Sequence, residues 1–191
     1  MAKSTLDQIR RGARIHSLVF AVHLVRGADR PYDVVWEGLT YARADRSGAR
    51  GKVAFCKYGV VGLFYDEASP QAPANLKKKY DLQAHLAGMP EPLLQHAKRE
   101  VLSAFDLDKG PVVTSAFWSD AQGDLVGARP WPKLLADGAR IVEDEMKKPA
   151  AAVAAFGDRY GLAPEKIAVV KDVFASKSAL ALPAAQKITV S

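Results

Sequence analysis

The sequence predicts a mixed α+β fold, in which about four strands in two hairpins form one sheet and six or seven helices pack on it. Two apolar pairs of segments, at residues 53–67 and 112–129, are each divided by a short turn, which is typical of hairpins. Apolar residues recur at helical spacing in most of the remaining chain, and the C-terminal third is predicted to be helical throughout.

The length and composition favour a single globular domain spanning residues 1–191. A chain of 191 residues can bury one sizeable core, and its 49% hydrophobic and 25% charged residues exclude disordered, collagen-like and coiled-coil classes. Within this domain, residues 132–177 are expected to form a helical C-terminal subdomain. Residues 178–191 lack a clear period and are expected to be a loose tail or an added strand.

The N-terminal segment is predicted to form two helices. The first is expected over residues 5–26, ending at Gly27, with a buried strand over residues 15–25 as the alternative. Its apolar residues fall at helical steps: Leu6, Ile9, Ala13, Phe20 and Leu24. Pro31 suits a first helical position. Because Tyr32, Val35, Leu39 and Ala42 would share one face behind it, a second helix is expected to about residue 44.

The middle of the chain holds the clearest strand signals. A turn-rich loop at 45–51 leads to two apolar strands over residues 53–67, which meet at Tyr58-Gly59. Both faces of these strands are apolar or aromatic, so we expect them to lie centrally in the sheet. A proline-rich loop follows at 68–74, and helices are predicted at 75–86 and 91–105.

The second hairpin and the C-terminal helices complete the prediction. Residues 106–111 break the preceding helix and are expected to form a turn, since they lack the full set of acidic positions of a calcium loop. Residues 112–118 and 125–129 then flank a turn at 119–124. Helices are expected near residues 132–147, 150–160 and 164–176.

A single cysteine, Cys56, excludes an intramolecular disulfide and a cluster of thiolate ligands within one chain. This usage fits a reducing compartment, and we expect the protein in the cytoplasm. The longest apolar run, residues 17–25, is shorter than the roughly 20 residues of a spanning helix, so no membrane is expected among the partners. A secretion signal is the less favoured interpretation, because no small-residue cleavage site follows the run.

Known catalytic and cofactor motifs are absent from the sequence. It contains no Walker loop, no GxGxxG and no HExxH, and we expect no cofactor and no metal. Cys56 is a weak candidate nucleophile, with a base to be supplied by His16, His23, His85 or His96. A buried, inert thiol is favoured, because the adjacent Lys57 would point to the opposite face of a strand. Asp66 and Glu67 lie at a strand end without a visible partner for acid–base chemistry.

Positive charge is concentrated in the N-terminal third. Residues 1–57 carry 11 Lys and Arg against 5 Asp and Glu, which accounts for the whole net charge of +6. Such a set can bind anions or nucleic-acid phosphates, although a solvated surface is the simpler interpretation. The candidate set is Arg10, Arg11, Arg14, Arg43, Arg46, Arg50 and Lys52.

The C-terminal helical pair has the spacing of a helix-turn-helix motif. Its core positions would be Phe156, Gly157, Tyr160, Gly161, Leu162, Ile167 and Val170. The side chains then aimed at DNA bases include Pro164, Glu165 and Val169, which offer no bidentate contact to guanine or adenine. A helical hairpin that packs on the core is therefore the favoured interpretation.

Three tryptophans, Trp36, Trp118 and Trp131, lie near the ends of elements and serve either a binding surface or the rim of the core. Together these observations predict a non-enzymatic cytoplasmic binding protein whose partner is a protein or an acidic polymer. The alternative is a nucleic-acid-binding protein that uses the basic third and the C-terminal helical pair. A third interpretation is an enzyme centred on Cys56. The sequence does not specify the oligomeric state.

Overall fold

A computed structural model describes residues 5–24, 33–108 and 110–175. The strands in these ranges are β1 (Asp33–Glu37), β2 (Thr40–Ala44), β3 (Ala49–Cys56), β4 (Gly59–Asp66), β5 (Asp106–Leu107), β6 (Gly110–Pro111), β7 (Ser115–Ser119) and β8 (Leu125–Val126). Six of these described strands form one antiparallel sheet in the order β1-β2-β3-β4-β7-β8, and β5 and β6 form a separate two-stranded ladder.

Helices lie on both faces of the sheet. They are α1 (Leu6–Leu24), α2 (Leu82–Leu86), α3 (Glu91–Glu100), α4 (Trp131–Ala136), α5 (Pro149–Arg159) and α6 (Pro164–Ala175). In the described part of the chain, longer elements are joined by three 3₁₀ turns, Leu102–Phe105, Ala139–Val142 and Asp144–Met146. None of the helices in the described ranges is long and apolar enough to cross a membrane.

Successive side chains along the strands point to opposite faces of the sheet and belong to two separate cores. On the inner face, residues such as Val53 and Phe64 pack against α1, α4 and the two 3₁₀ turns between Ala139 and Met146. On the outer face, Leu63 and Trp118 pack against α2, α3 and the turn Leu102–Phe105. A third cluster joins α1 to α5 and α6. Helix α1 thus packs between the sheet and the C-terminal helices.

The helix predicted over residues 31–44 is wrong. The described part of this segment forms the β1-β2 hairpin, and Pro31 lies outside the described residues. Alternating side chains such as Val34 and Trp36 face the inner core, which is the period of a strand. The tight turn between the strands contains Gly38 with a φ of +59°, a conformation that glycine adopts without strain. The sheet is therefore larger than the four strands predicted.

The other predictions match the structure to different degrees. The first helix, both predicted hairpins and the helices of the C-terminal third are present, and β3 and β4 lie centrally as expected. The helix predicted over residues 75–86 is shorter, because Asp81 caps α2 by accepting a hydrogen bond from the Gln83 N–H. The helix predicted over 132–147 divides after Ala136, where Gly138 has a φ of +134°. The predicted tail at 178–191 lies outside the described residues.

Candidate functional site

Five polar side chains form a network in the interior, between α1, β2, the turn Asp144–Met146 and the end of α5. We call this set the polar network, and its members are His16, Tyr41, Arg43, Glu145 and Tyr160. Three of them have no exposed surface, and Arg43 and Tyr160 are only 4% and 6% exposed. Buried polar groups are costly unless they bond one another, so their partners decide whether this interior is stable.

Glu145 is the centre of the polar network. Its Oε1 lies 2.8 Å from both the His16 Nδ1 and the Tyr41 hydroxyl, and 3.0 Å from an Arg43 nitrogen. Arg43 also donates to the main-chain carbonyl of Ile141. Since an ionised carboxylate only accepts hydrogen bonds, the Nδ1 carries the imidazole proton. The other ring nitrogen, Nε2, then accepts from the Tyr160 hydroxyl at 2.6 Å.

The charges of the network follow from burial and from the ion pair. Burial lowers the pKa of His16 below its ordinary value of 6.5, although Glu145 acts in the opposite direction. Burial alone would raise the pKa of Glu145, but the charge of Arg43 and the bonds from His16 and Tyr41 hold that pKa below its ordinary value. Near neutral pH the network therefore contains a neutral imidazole beside one ion pair.

A glycine on α1 allows this arrangement. A Cβ atom at Gly12 would lie 1.9 Å from the main-chain oxygen of Glu145, so only glycine permits the helix and the turn to approach so closely. His16 lies one helical turn further along α1, on the same face as Gly12. The close contact at Gly12 therefore places the Glu145 carboxylate beside the imidazole.

The Tyr160 hydroxyl is hydrogen-bonded to the His16 imidazole, which is hydrogen-bonded in turn to the Glu145 carboxylate. This is the connectivity of an activated nucleophile. However, the imidazole has no exposed surface and stacks on Phe156, with ring centroids 4.1 Å apart. A substrate would have to reach a hydroxyl on a ring that is 94% covered. The geometry therefore describes an interior network that joins α1 and α5 to the sheet.

A second feature is a groove on the outer face of the sheet. It has a volume of about 180 Å³, and we call it the outer groove. Its lining includes Val35, Ala42, Ala44, Arg50, Lys52 and Phe105. Among the described residues, no side chain of β1 or β2 belongs to the outer core, and Val35 is 45% exposed. The outer helices thus cover one half of this face and leave the β1-β2 half open.

Arg50 occupies one side of the outer groove between two aromatic rings. Its guanidinium carbon lies 4.7 Å from the centre of the Tyr65 ring and 5.9 Å from that of Phe105. Within the described parts of the chain no carboxylate pairs with Arg50, and its Nε is buried without a hydrogen-bond partner. A guanidinium held on aromatic faces and lacking an anion is a donor suited to a carboxylate or a phosphate.

The neighbouring charges of the groove are compensated. Lys52 forms an ion pair with Glu37 at 3.2 Å, and Arg99 of α3 pairs with Glu100 at 2.7 Å. Among the described charged residues that line the outer groove, Arg43 and Lys52 have ion-pair partners and Arg50 has none. The outer groove therefore presents one net positive charge next to an apolar floor.

The structure divides the basic set predicted from the sequence between different surfaces. Arg10 and Arg11 are exposed on α1, on the inner side of the sheet, whereas Arg50 and Lys52 lie on the outer side. Burial and the neighbouring Arg10 lower the pKa of Arg14 on the same helix. Arg46 is exposed in the turn between β2 and β3.

Arg43 differs from the rest of that set. It lies in the interior and bonds Glu145, so it contributes no charge to the surface. Its neighbours on the same hairpin, Arg46 and Arg50, remain on the surface side. The seven basic residues therefore do not form one continuous patch.

The Cys56 thiol lies half-buried at the end of β3, next to the outer core. In the described residues no hydrogen bond joins it to an imidazole. His16 belongs to the polar network, His85 stacks on Tyr80, and His96 contacts Arg99 at 3.4 Å. The ring of His23 lies against Tyr160. Among the described residues, the geometry therefore supplies no hydrogen-bonded imidazole base for Cys56.

Asp66 and Glu67, the candidate carboxylates near the end of β4, lie in different environments. Asp66 is buried and pairs with Arg140 at 2.8 Å, whereas Glu67 is exposed. Across the described ranges, no group of three or more His, Cys, Asp or Glu side chains is arranged to hold a metal ion.

All three tryptophans contact the core. Trp118 is buried in the outer core, and Trp131 packs beside Phe117. The Trp36 indole N–H donates to the Ser17 hydroxyl at 2.7 Å, and its ring stacks on Phe55. These rings therefore close the edges of the two cores.

The C-terminal helical pair packs on α1 through the third cluster, in which Phe156, Tyr160 and Val170 are buried. On α6, Glu165 and Val169 are exposed. This is the arrangement expected of a helical hairpin on a core.

Sequence reasoning missed the polar network and the aromatic rings around Arg50. Tyr41, Glu145 and Tyr160 come together from positions up to 119 residues apart, and no local spacing links them. Glu145 is the last of three consecutive acidic residues and the one that is buried, and the sequence carries no signal that distinguishes it from Glu143 and Asp144. Comparison with known proteins gives no match to a family model, a curated protein or a solved structure.

Proposed function

We propose that this protein is a non-enzymatic binding protein of the cytoplasm and that its outer groove binds an acidic segment of a partner protein. The observation that carries the proposal is the unpaired guanidinium of Arg50, fixed against Tyr65 and Phe105 beside an open apolar surface. Arginine held on aromatic rings at the edge of an apolar surface is a common anchor of protein interfaces.

The charge distribution favours an acidic polypeptide over nucleic acid. Duplex DNA presents one negative charge per roughly 1.7 Å and is bound by several basic side chains acting together. Here Arg43 is buried, the helix arginines lie across the sheet, and Lys52 already has a carboxylate partner. One unpaired charge beside an apolar floor is better matched by a peptide that combines carboxylates with apolar side chains.

The proposal is tested by mapping amide chemical shifts of the isotope-labelled protein. The probe is a synthetic peptide in which leucine alternates with glutamate, and the control peptide replaces each glutamate with lysine. We expect saturable shifts around Val35, Ala42 and Arg50 with the acidic peptide and none with the basic one. Absence of binding, or shifts confined to another surface, would overturn the proposal.

A short duplex DNA serves as the competing probe in the same titration. Nucleic-acid binding would weaken steeply between about 50 mM and about 200 mM salt. In a plot of log affinity against log salt concentration, each phosphate contacted would contribute about −0.9 to the slope. We expect no saturable shifts with the duplex. Duplex binding at the outer groove, with a slope that corresponds to several phosphate contacts, would show that the partner is nucleic acid and not an acidic polypeptide.

A further inference from the structure

The size of the outer groove limits what can enter it. Its volume of about 180 Å³ is below the roughly 300–1,000 Å³ of sites that enclose a whole small-molecule ligand. Its floor is formed by small side chains of β2, with Val35 and Phe105 beside them. A depression of this size and polarity suits one apolar side chain of a longer chain, as at the centre of many peptide interfaces.

The position of Arg50 limits where the negative charge must lie. In the sheet Arg50 pairs in register with Ala44 on one side and with Tyr65 on the other, so the guanidinium borders the small side chains of the floor. Lys52, opposite Ala42, is engaged by Glu37 and does not offer a second free charge. The groove thus presents one apolar depression and one guanidinium next to each other.

We infer that the outer groove recognises a two-part element of a partner polypeptide, one apolar side chain seated on the β2 floor and one carboxylate bound by Arg50. This inference rests on the proposed function and specifies the ligand of the same site. A single carboxylate is sufficient, because a single charge is unpaired. Additional acidic residues on the ligand have no further unpaired cation among the described groove residues.

The test uses a short glycine and serine peptide that carries one leucine followed by one glutamate. Two companion peptides replace the glutamate with glutamine or the leucine with alanine. Binding to the full-length protein is followed by chemical-shift titration. We expect each replacement to weaken binding by about tenfold or more, the range for a charged hydrogen bond or for a buried leucine side chain.

Protein variants assign the two effects to the two parts of the groove. In Arg50→Gln the glutamate and glutamine peptides should bind alike, whereas the control Arg46→Gln, an exposed arginine of the same hairpin, should retain the preference for glutamate. In Ala42→Leu the added side chain fills the floor, so the leucine and alanine peptides should bind alike. The unbound spectrum of each variant verifies its fold.

The outcomes separate this inference from the proposed function. If the peptide of alternating leucine and glutamate binds the groove but Arg50→Gln keeps the preference for glutamate, the two-part element is wrong and the general proposal stands. The same holds if replacing the leucine has no effect. If neither the peptide of alternating leucine and glutamate nor the peptide with one leucine and one glutamate binds, the inference and the proposed function are both wrong.

Discussion

Two basic side chains of the β2-β3 hairpin show how position decides the role of a charge. Arg43 points inward and donates to Glu145 in the core, whereas Lys52 lies on the outer face and pairs with the 69% exposed Glu37. The sequence places both in one basic set, because composition does not reveal which face of a strand a residue occupies. Only the interior pair is withdrawn from water, so the two pairs should differ in energy.

Replacing each cation with methionine tests this difference. Arg43→Met leaves the Glu145 carboxylate buried without its ion pair, and we expect the free energy of unfolding to fall by about 3–5 kcal/mol. Lys52→Met removes a surface pair and should cost at most about 1 kcal/mol. Urea unfolding measures both. Equal losses would contradict the interior ion pair.

At the scale of elements, the contact between α1 and the turn Asp144–Met146 depends on Gly12. A Cβ at this position would meet main-chain atoms of Glu145, which cannot move without displacing the whole turn. A second helical glycine, Gly157 of α5, provides a comparison. A Cβ there would meet only the end of the Ile167 side chain, at 2.8 Å.

Alanine at the two glycines should therefore have unequal effects. We expect Gly12→Ala to destabilise the protein by about 1–3 kcal/mol or more, as overpacking does, despite the better helix propensity of alanine. Gly157→Ala should cost less, since a flexible side chain can shift. The difference is read from thermal and urea unfolding of both variants. A neutral Gly12→Ala variant would show that the helix and the turn are not in close contact.

The sequence predicted one of the two N-terminal hairpins of the sheet correctly and the other wrongly. The β3-β4 hairpin was predictable because its apolar strands flank a turn at Tyr58-Gly59, a signal contained within one short segment. The β1-β2 hairpin was not, because the apolar residues Tyr32, Val35, Leu39 and Ala42 also fit a helical face behind Pro31. Tertiary pairing with β3 decides between the two periods, and that pairing is not visible locally.

The candidate site divides in the same way. The basic composition singled out Arg50 and Lys52 of the outer groove, but it gave no indication of the aromatic rings of Tyr65 and Phe105 that contact Arg50. Phe105 was predicted on a helix, and Tyr65 on a strand, without any reason to bring them together. Long-range contacts between side chains were therefore the part of this site that the sequence could not supply.

At the scale of the whole molecule, the polar network makes stability depend on pH. The pKa of His16 is lowered by burial, so the folded protein favours the neutral imidazole while the unfolded chain binds a proton near the ordinary value of 6.5. The contribution of His16 to the free energy of unfolding is therefore fully present above this pH and declines as the pH falls below it. Burial lowers the pKa of His85 as well, so this residue acts in the same direction.

We expect the wild-type protein to lose unfolding free energy between about pH 7.5 and about pH 5.5, the range around the ordinary imidazole pKa. His16→Gln should be less stable at the upper pH but lose less on acidification, and adding His85→Gln should flatten the profile further. Urea unfolding at each pH provides the measurement. A wild-type protein that gains stability on acidification would contradict the neutral imidazole.

Helix α1 is held by residues that are distant from it in the sequence, and this distance affects the order of folding. The polar partners of His16 in the polar network lie 25, 129 and 144 residues further along the chain. During synthesis, α1 would emerge before β2, Glu145 and Tyr160, and until they follow its imidazole is unsatisfied and its apolar faces are uncovered. Contacts so distant in sequence close slowly. Helix α1 is thus among the last helices to be fixed in place, and a chain interrupted before residue 160 would leave it exposed.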